Sequence, residues 1–221
     1  MVSLKHYLAS SIGKKQIAAL SGLLLIGFVI MHLSGNLLMF KGPEAFNGYV
    51  DFLHSFGMGL YIAEIGLLLL FLTHMGFTAR IVYENKKARP KGYKRDTDEA
   101  LLARLMPLTG VILLVFLVIH LIDYRFAEMD GVMSLVEGRN LGLYGLVYNS
   151  FKTSVFRVFL YLVAMIGIGA HLSHAVQSVF RTFGFFNPKY NDVLKKAGFI
   201  LGSIVTVGFS SIPLAIYMSI I

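Results

Sequence analysis

A chain of 221 residues that is 56% apolar and only 14% charged, with a mean hydropathy of +0.70, is too apolar for a water-soluble domain and reads as integral to a lipid bilayer. The net charge of +8 and isoelectric point near 9.6 would suit nucleic acid, but the basic residues flank apolar runs, where membrane topology and anionic headgroups account for them, so no nucleic-acid partner is expected. The lack of cysteine excludes disulfides, iron–sulfur ligation and thiolate zinc sites, so any metal must be held by histidine, carboxylate or methionine.

Five apolar runs, roughly 17–40, 60–83, 103–124, 157–180 and 197–220, are long enough to cross a hydrocarbon core of ~30 Å, which takes about 20 helical residues. In lipid each span must satisfy its own backbone hydrogen bonds, and none has the alternation of a barrel strand. The predicted fold class is therefore all-α: one domain over 1–221, an integral membrane bundle of five transmembrane helices.

The first run follows Lys14-Lys15 and has no small-residue cleavage site behind it, so it is expected to stay as a helix; it carries His32. Lys41-Gly42-Pro43 closes it. The segment from Pro43 to Phe56 mixes Phe46, Tyr49, Phe52 and Phe56 with Asn47, Asp51 and His54, which suits an amphipathic stretch lying at the outer interface. The second run carries Glu64 and His74, the third His120, and the fourth His171 and His174. The loop at 125–156 is long enough to cover the bundle, and Asn187-Pro188 marks the turn toward the fifth run.

Fifteen Lys/Arg lie on one side of this arrangement, eight of them between Arg80 and Arg104. The other side holds only Lys41, Arg125, Arg139, Lys152 and Arg157, interleaved with Glu128, Asp130 and Glu137. The positive-inside rule thus predicts a multi-pass protein of the inner (cytoplasmic) membrane, with the N-terminus in the cytoplasm and the C-terminus outside.

Of seven histidines, His6 sits in the N-terminal tail and His54 in the outer loop, but His32, His74, His120, His171 and His174 lie inside predicted spans, where an ionisable side chain is a functional suspect. At ~1.5 Å per residue, His32 lies about 22 Å and His120 about 24 Å from the inner ends of their helices, whereas His74 lies ~14 Å and His171 ~16 Å from theirs. Four helices thus supply two histidine pairs at two depths, as two stacked bis-imidazole haems would require; six-coordinate iron of that kind moves single electrons. His174 follows His171 by three residues on nearly the same face, and spacing alone leaves both open. A weak repeat supports the pairing: Ser21-Gly22-Leu23 begins a run ending at His32, and Thr109-Gly110-Val111 one ending at His120. Gly22, Gly27, Gly110, Gly167 and Gly169 read as haem-side or helix-contact positions.

The whole chain resembles the di-haem cytochrome b membrane anchor of succinate:quinone oxidoreductases, the succinate dehydrogenases and quinol:fumarate reductases, in the form with one five-helix subunit. The resemblance is carried by Ile30-Met31-His32-Leu33-Ser34-Gly35-Asn36, Glu44-Ala45-Phe46-Asn47, Leu72-Thr73-His74, Thr109-Gly110 with His120, and His171-Leu172-Ser173-His174 running on to Ser178 and Gly184. It implies His32 and His120 as axial ligands of an outer haem b and His74 and His171 as those of an inner haem b. Arg181 takes about the place of a basic residue that meets a haem propionate, and Ser21 is set beside it as a cofactor contact. The resemblance further implies a flavoprotein subunit with FAD and an iron–sulfur subunit on the cytoplasmic face, a membrane quinone as redox partner, menaquinone by preference, and a complex open to dimerisation. The chain would then be the subunit of the enzyme that does not bind the dicarboxylate.

Quinone is expected near the outer haem, where Asp51, His54 and Glu64 could exchange protons with the outer phase, Glu64 as a carboxylate within the span. Some di-haem anchors carry a glutamate two residues before the inner-haem histidine of helix four, assigned to a proton path; here that position is Gly169. Two other readings stay open: a haem b anchor of another respiratory oxidoreductase, and a proton-coupled transporter with a histidine relay, which broken helices at the membrane centre would favour.

Overall fold

The computed structural model describes residues 3–88, 98–128, 131–185 and 187–221. Arg89, Lys91, Lys94 and Arg95 of the basic stretch, and Asp130, lie outside them. Among the described residues there are eight α-helices: α1 (Leu4–Ala9), α2 (Ser11–Asn36), α3 (Pro43–His54), α4 (Met58–Lys87), α5 (Asp98–His120), α6 (Gly142–Lys152), α7 (Val155–Thr182) and α8 (Pro188–Tyr217). A 3-10 turn, Leu37–Lys41, prolongs α2, and a π-helical turn, Leu121–Arg125, prolongs α5. Five helices are long and apolar enough to cross a membrane: Ser11–Lys41, Met58–Lys87, Arg104–Arg125, Val155–Thr182 and Lys189–Tyr217.

The spans differ from the expected ones mainly at the polar ends. Hydropathy marks the stretch that lipid covers, whereas a helix continues as long as its backbone bonds and caps allow. Ser10 accepts from Gly13 N–H at 3.0 Å, so α2 begins before Lys14-Lys15. Asn187 caps α8 by accepting from Lys189 N–H at 2.9 Å, nine residues ahead of the apolar run at 197. At the end of α7, Gly184 sits at φ +83, the left-handed conformation that closes a helix most cheaply with glycine.

The helices pack α7 along α8, α2 on α4, α5 on α7 and α2 on α7. No residue of α4 is buried, and Ile62, Ile65, Leu68, Leu69 and Leu72 are exposed, as expected of a surface that meets hydrocarbon. One end of the bundle is capped. There α6 packs against α3, α7 and α8, around a core of Met39, Phe46, Tyr144, Val147, Phe151, Val158, Tyr161, Ile212 and Ile216. Asn47 holds this cap to α3: its amide donates to Leu141 O at 2.8 Å and its oxygen accepts from Tyr144 N–H at 3.1 Å. The segment 125–156 therefore does cover the bundle, and Asn47 has a structural task. The cap also contains the only strands among the described residues, Leu135–Val136 (β1) paired antiparallel with Arg139–Asn140 (β2) across the Glu137-Gly138 turn.

Candidate functional site

The core between α2, α4, α5 and α7 holds two facing pairs of imidazoles. The rings of His32 (α2) and His120 (α5) stand with centroids 5.7 Å apart and planes at 89°, toward the capped end. Those of His74 (α4) and His171 (α7) stand 6.4 Å apart at 71°, farther from the cap. A metal ion held at roughly 2 Å by one nitrogen of each ring would set ring centres on the order of 6 Å apart, close to the 5.7 and 6.4 Å of the two pairs. Among the described residues no three His, Cys, Asp or Glu side chains gather to hold a bare ion. A facing pair of imidazoles could instead hold the iron of a porphyrin.

Hydrogen bonds orient both rings of the His74/His171 pair. His74 Nδ1 lies 3.0 Å from Ala18 O, which can only accept, so Nδ1 carries the proton and the lone pair of the neutral ring is on Nε2. His171 Nδ1 lies 3.0 Å from Thr109 Oγ1, whose own proton is directed to the carbonyls of Leu105 and Met106 at 3.1 and 3.0 Å. With that proton donated to a carbonyl, Thr109 accepts from His171, which gives the same tautomer. Partners of this kind orient metal-binding histidines and raise their basicity. Ser21 stands to His74 as Thr109 does to His171: its Oγ donates to Ile17 O at 2.7 Å and lies 3.4 Å from His74 Nδ1. The Ser21/Thr109 repeat thus serves the histidine on the next helix in each half. Gly22 completes the contact, because a Cβ there would come 2.9 Å from His74 Cε1.

At the other pair, His32 stacks on Phe28 at 5.3 Å, and His120 is flanked by Phe116 at 5.5 Å and Tyr124 at 5.3 Å. His120 Nδ1 is buried with no hydrogen-bond partner among the described residues. A polar atom so placed costs stability, which argues that this ring is kept for something other than holding the fold.

The remaining expected site residues are dispersed. Ser21 supports His74, as above. Arg181 Nη2 donates to Asn191 Oδ1 at 2.8 Å, as does the buried Gln177, tying α7 to α8. Glu64 is paired: Arg125 grips it with two bonds, of 2.8 and 2.9 Å, between α4 and the π-helical turn. Asp51 and His54 are exposed on α3. Gly169 is a helix contact, its would-be Cβ only 1.9 Å from Thr206 Oγ1. Gly167 meets Ile112 at ordinary distance, and Gly27 and Gly110 have nothing within 4 Å.

One residue escaped the sequence reading. Asp123 lies inside the apolar run 103–124, and a carboxylate in an apolar span is itself the signal that points to it. Thr109→Val is expected to weaken retention of a ligand between His74 and His171 by roughly 10–100-fold, the usual range for loss of such a supporting bond, as read from competition with a haem scavenger. Unchanged retention would show that Thr109 does not support His171.

Compared with family models, curated proteins and solved structures, the chain finds no match.

Proposed function

We propose that this chain is the membrane-anchor cytochrome b of a succinate:quinone oxidoreductase or quinol:fumarate reductase, relaying electrons through two b haems between a membrane quinone, menaquinone by preference, and an iron–sulfur partner. The observation that carries the haem reading is the two facing histidine pairs on four different helices, one of them with both rings held as the Nδ1–H tautomer. The resemblance in sequence supplies the choice among haem anchors.

His32 and His120 would hold one haem and His74 and His171 the other, each presenting a neutral imidazole nitrogen. A haem held this way would supply one-electron transfer. The protein's own part is to fix the rings and keep water out. Ala18 and Thr109 hold His74 and His171 in orientation, Gly22 lets α2 approach His74, and the aromatic wall of Phe116, Tyr124 and Tyr161 seals His120. In the proposed orientation the cap faces outward and the opposite end meets a flavoprotein and an iron–sulfur subunit at the cytoplasmic face. An optical spectrum of the purified protein tests the reading: reduced b-type bands, with co-purifying flavin and iron–sulfur subunits, are expected, and a colourless protein would leave the transporter reading.

Turnover is expected to move charge across the membrane, because quinone and dicarboxylate would exchange protons on opposite sides. The carboxylate that would offset this in some di-haem anchors has no room here, since α8 fills the space beside Gly169 with Thr206 and Gly202. A voltage-sensitive dye should report a potential formed or consumed when the complex turns over in sealed liposomes. Fast, coupled turnover without any potential would overturn the expectation.

A further inference from the structure

Beyond His120 the helix winds into the π-helical turn Leu121–Arg125, a distortion that recurs at functional sites. This turn places Asp123 in the interior with a side chain only 6% exposed, although the span is apolar. Two groups from α7 hold it: Arg157 Nη2 at 3.0 Å from Oδ1, and the Tyr161 hydroxyl, which donates to Oδ2 at 3.0 Å. Tyr161 is buried in turn, its ring 6.2 Å from that of His120 and 6.1 Å from that of Tyr124. The carboxylate is thus joined to the wall of the His32/His120 pair through a single side chain.

Burying an ion pair rarely adds stability over apolar residues of the same shape, so a charge kept inside an apolar span calls for another account. The two charges of this pair are not equivalent. Arg157 is 38% exposed and lies in the first turn of α7, one turn farther from the bundle centre than Tyr161, so its charge is less enclosed than that of Asp123. Asp123 is dry, and charges act more strongly through a low dielectric. The nearby pair of Glu64 and Arg125 is exposed at both members and compensated, so it contributes less.

We infer that Asp123, positioned by Arg157 and Tyr161, is the fixed charge that lowers the electron affinity of the haem held by His32 and His120. It acts through the wall and not as a ligand, and so distinguishes the capped-end electron site from the one at His74 and His171. The inference rests on the haem reading above.

The test is a redox titration of the purified protein, following the two haems by their optical bands. Asp123→Asn leaves the Arg157 charge uncompensated and should raise the midpoint potential of the His32/His120 haem while leaving the other in place. The double variant Asp123→Asn/Arg157→Gln leaves no unpaired charge in the interior, so it protects against misfolding; it should raise the same potential by a smaller amount. Lys152→Gln, which removes a cation near the same end of the bundle, should move neither. If both haems are retained and Asp123→Asn and the double variant leave the His32/His120 potential at its original value, or shift both haems equally, the inference is overturned. If the unaltered protein binds no haem, the haem reading falls first and takes the inference with it, so the two failures are distinguishable.

Discussion

His74→Ala is expected to abolish one of two bis-imidazole haem signals, and His32→Ala, His120→Ala and His171→Ala are each expected to do the same to one signal. The reason is stoichiometric: each pair has one ring on each side, 5.7 or 6.4 Å apart, and a single imidazole leaves iron five-coordinate or unbound. His74→Ala and His171→Ala should strike the same signal, and His32→Ala and His120→Ala the other. His54→Ala should leave both, because His54 is exposed on α3. His174→Ala should leave both too, since the ring facing His74 is that of His171. Spectra that distinguish low-spin from high-spin iron separate loss of a haem from conversion of one. Two unchanged bis-imidazole signals after His74→Ala would remove the basis of the assignment.

Gly202→Val should damage the packing of α7 on α8 severely. At the crossing of α7 and α8 a Cβ on Gly202 would lie 2.4 Å from Gly169 O and 2.4 Å from Ser173 Oγ, and one on Gly198 would lie 2.5 Å from Ser173 O. Carbonyl oxygens of a packed helix cannot turn aside as a flexible side chain can, so α8 must move away along its most extensive contact. Overpacking of this kind costs typically about 1–3 kcal/mol, and a clash with backbone belongs at the upper end. Small residues that let two backbones approach are how helices associate in lipid, where burial of apolar area gives no driving force. Thermal unfolding of the detergent-solubilised protein should show a clear drop in midpoint. Gly66→Ala, with nothing within 4 Å of its Cβ, should show none and provides the comparison. Equal midpoints for Gly202→Val and the unaltered chain would mean that α7 and α8 do not cross as closely as described.

Much of this was legible in the sequence because lipid removes choices. A run of apolar residues must be helical, and helical rise converts residue number into depth, so depth alone pairs His32 with His120 and His74 with His171, the same rings that face each other in the structure. The sequence also marked Ser21 and Thr109 through their repeat, but not their task. Depth says nothing of rotation about the helix axis. Only the packing of α2 on α4 and α5 on α7 brings those hydroxyls beside the histidine of the neighbouring helix, and in α2 it is the Ala18 carbonyl that places the proton on His74 Nδ1. Rotation likewise separates His171 from His174, which spacing could not.

Pairing across long stretches of chain was equally out of reach. Glu64 looked like a lone carboxylate because its partner Arg125 lies 61 residues away, and Asp123 finds Tyr161 38 residues on. A charge in an apolar span is visible in one dimension; whether it is compensated depends on which helices become neighbours. The same holds for Gly169, whose role as a close contact exists only because Thr206 and Gly202 of α8 come to lie against it. Composition determined the five spans, though not where their polar ends begin and stop, and the two histidine depths, since these follow from backbone geometry in a solvent without hydrogen bonds. Tertiary structure decided which faces meet, which charges are paired and which nitrogen carries the proton, since these depend on contacts between residues that local sequence does not connect.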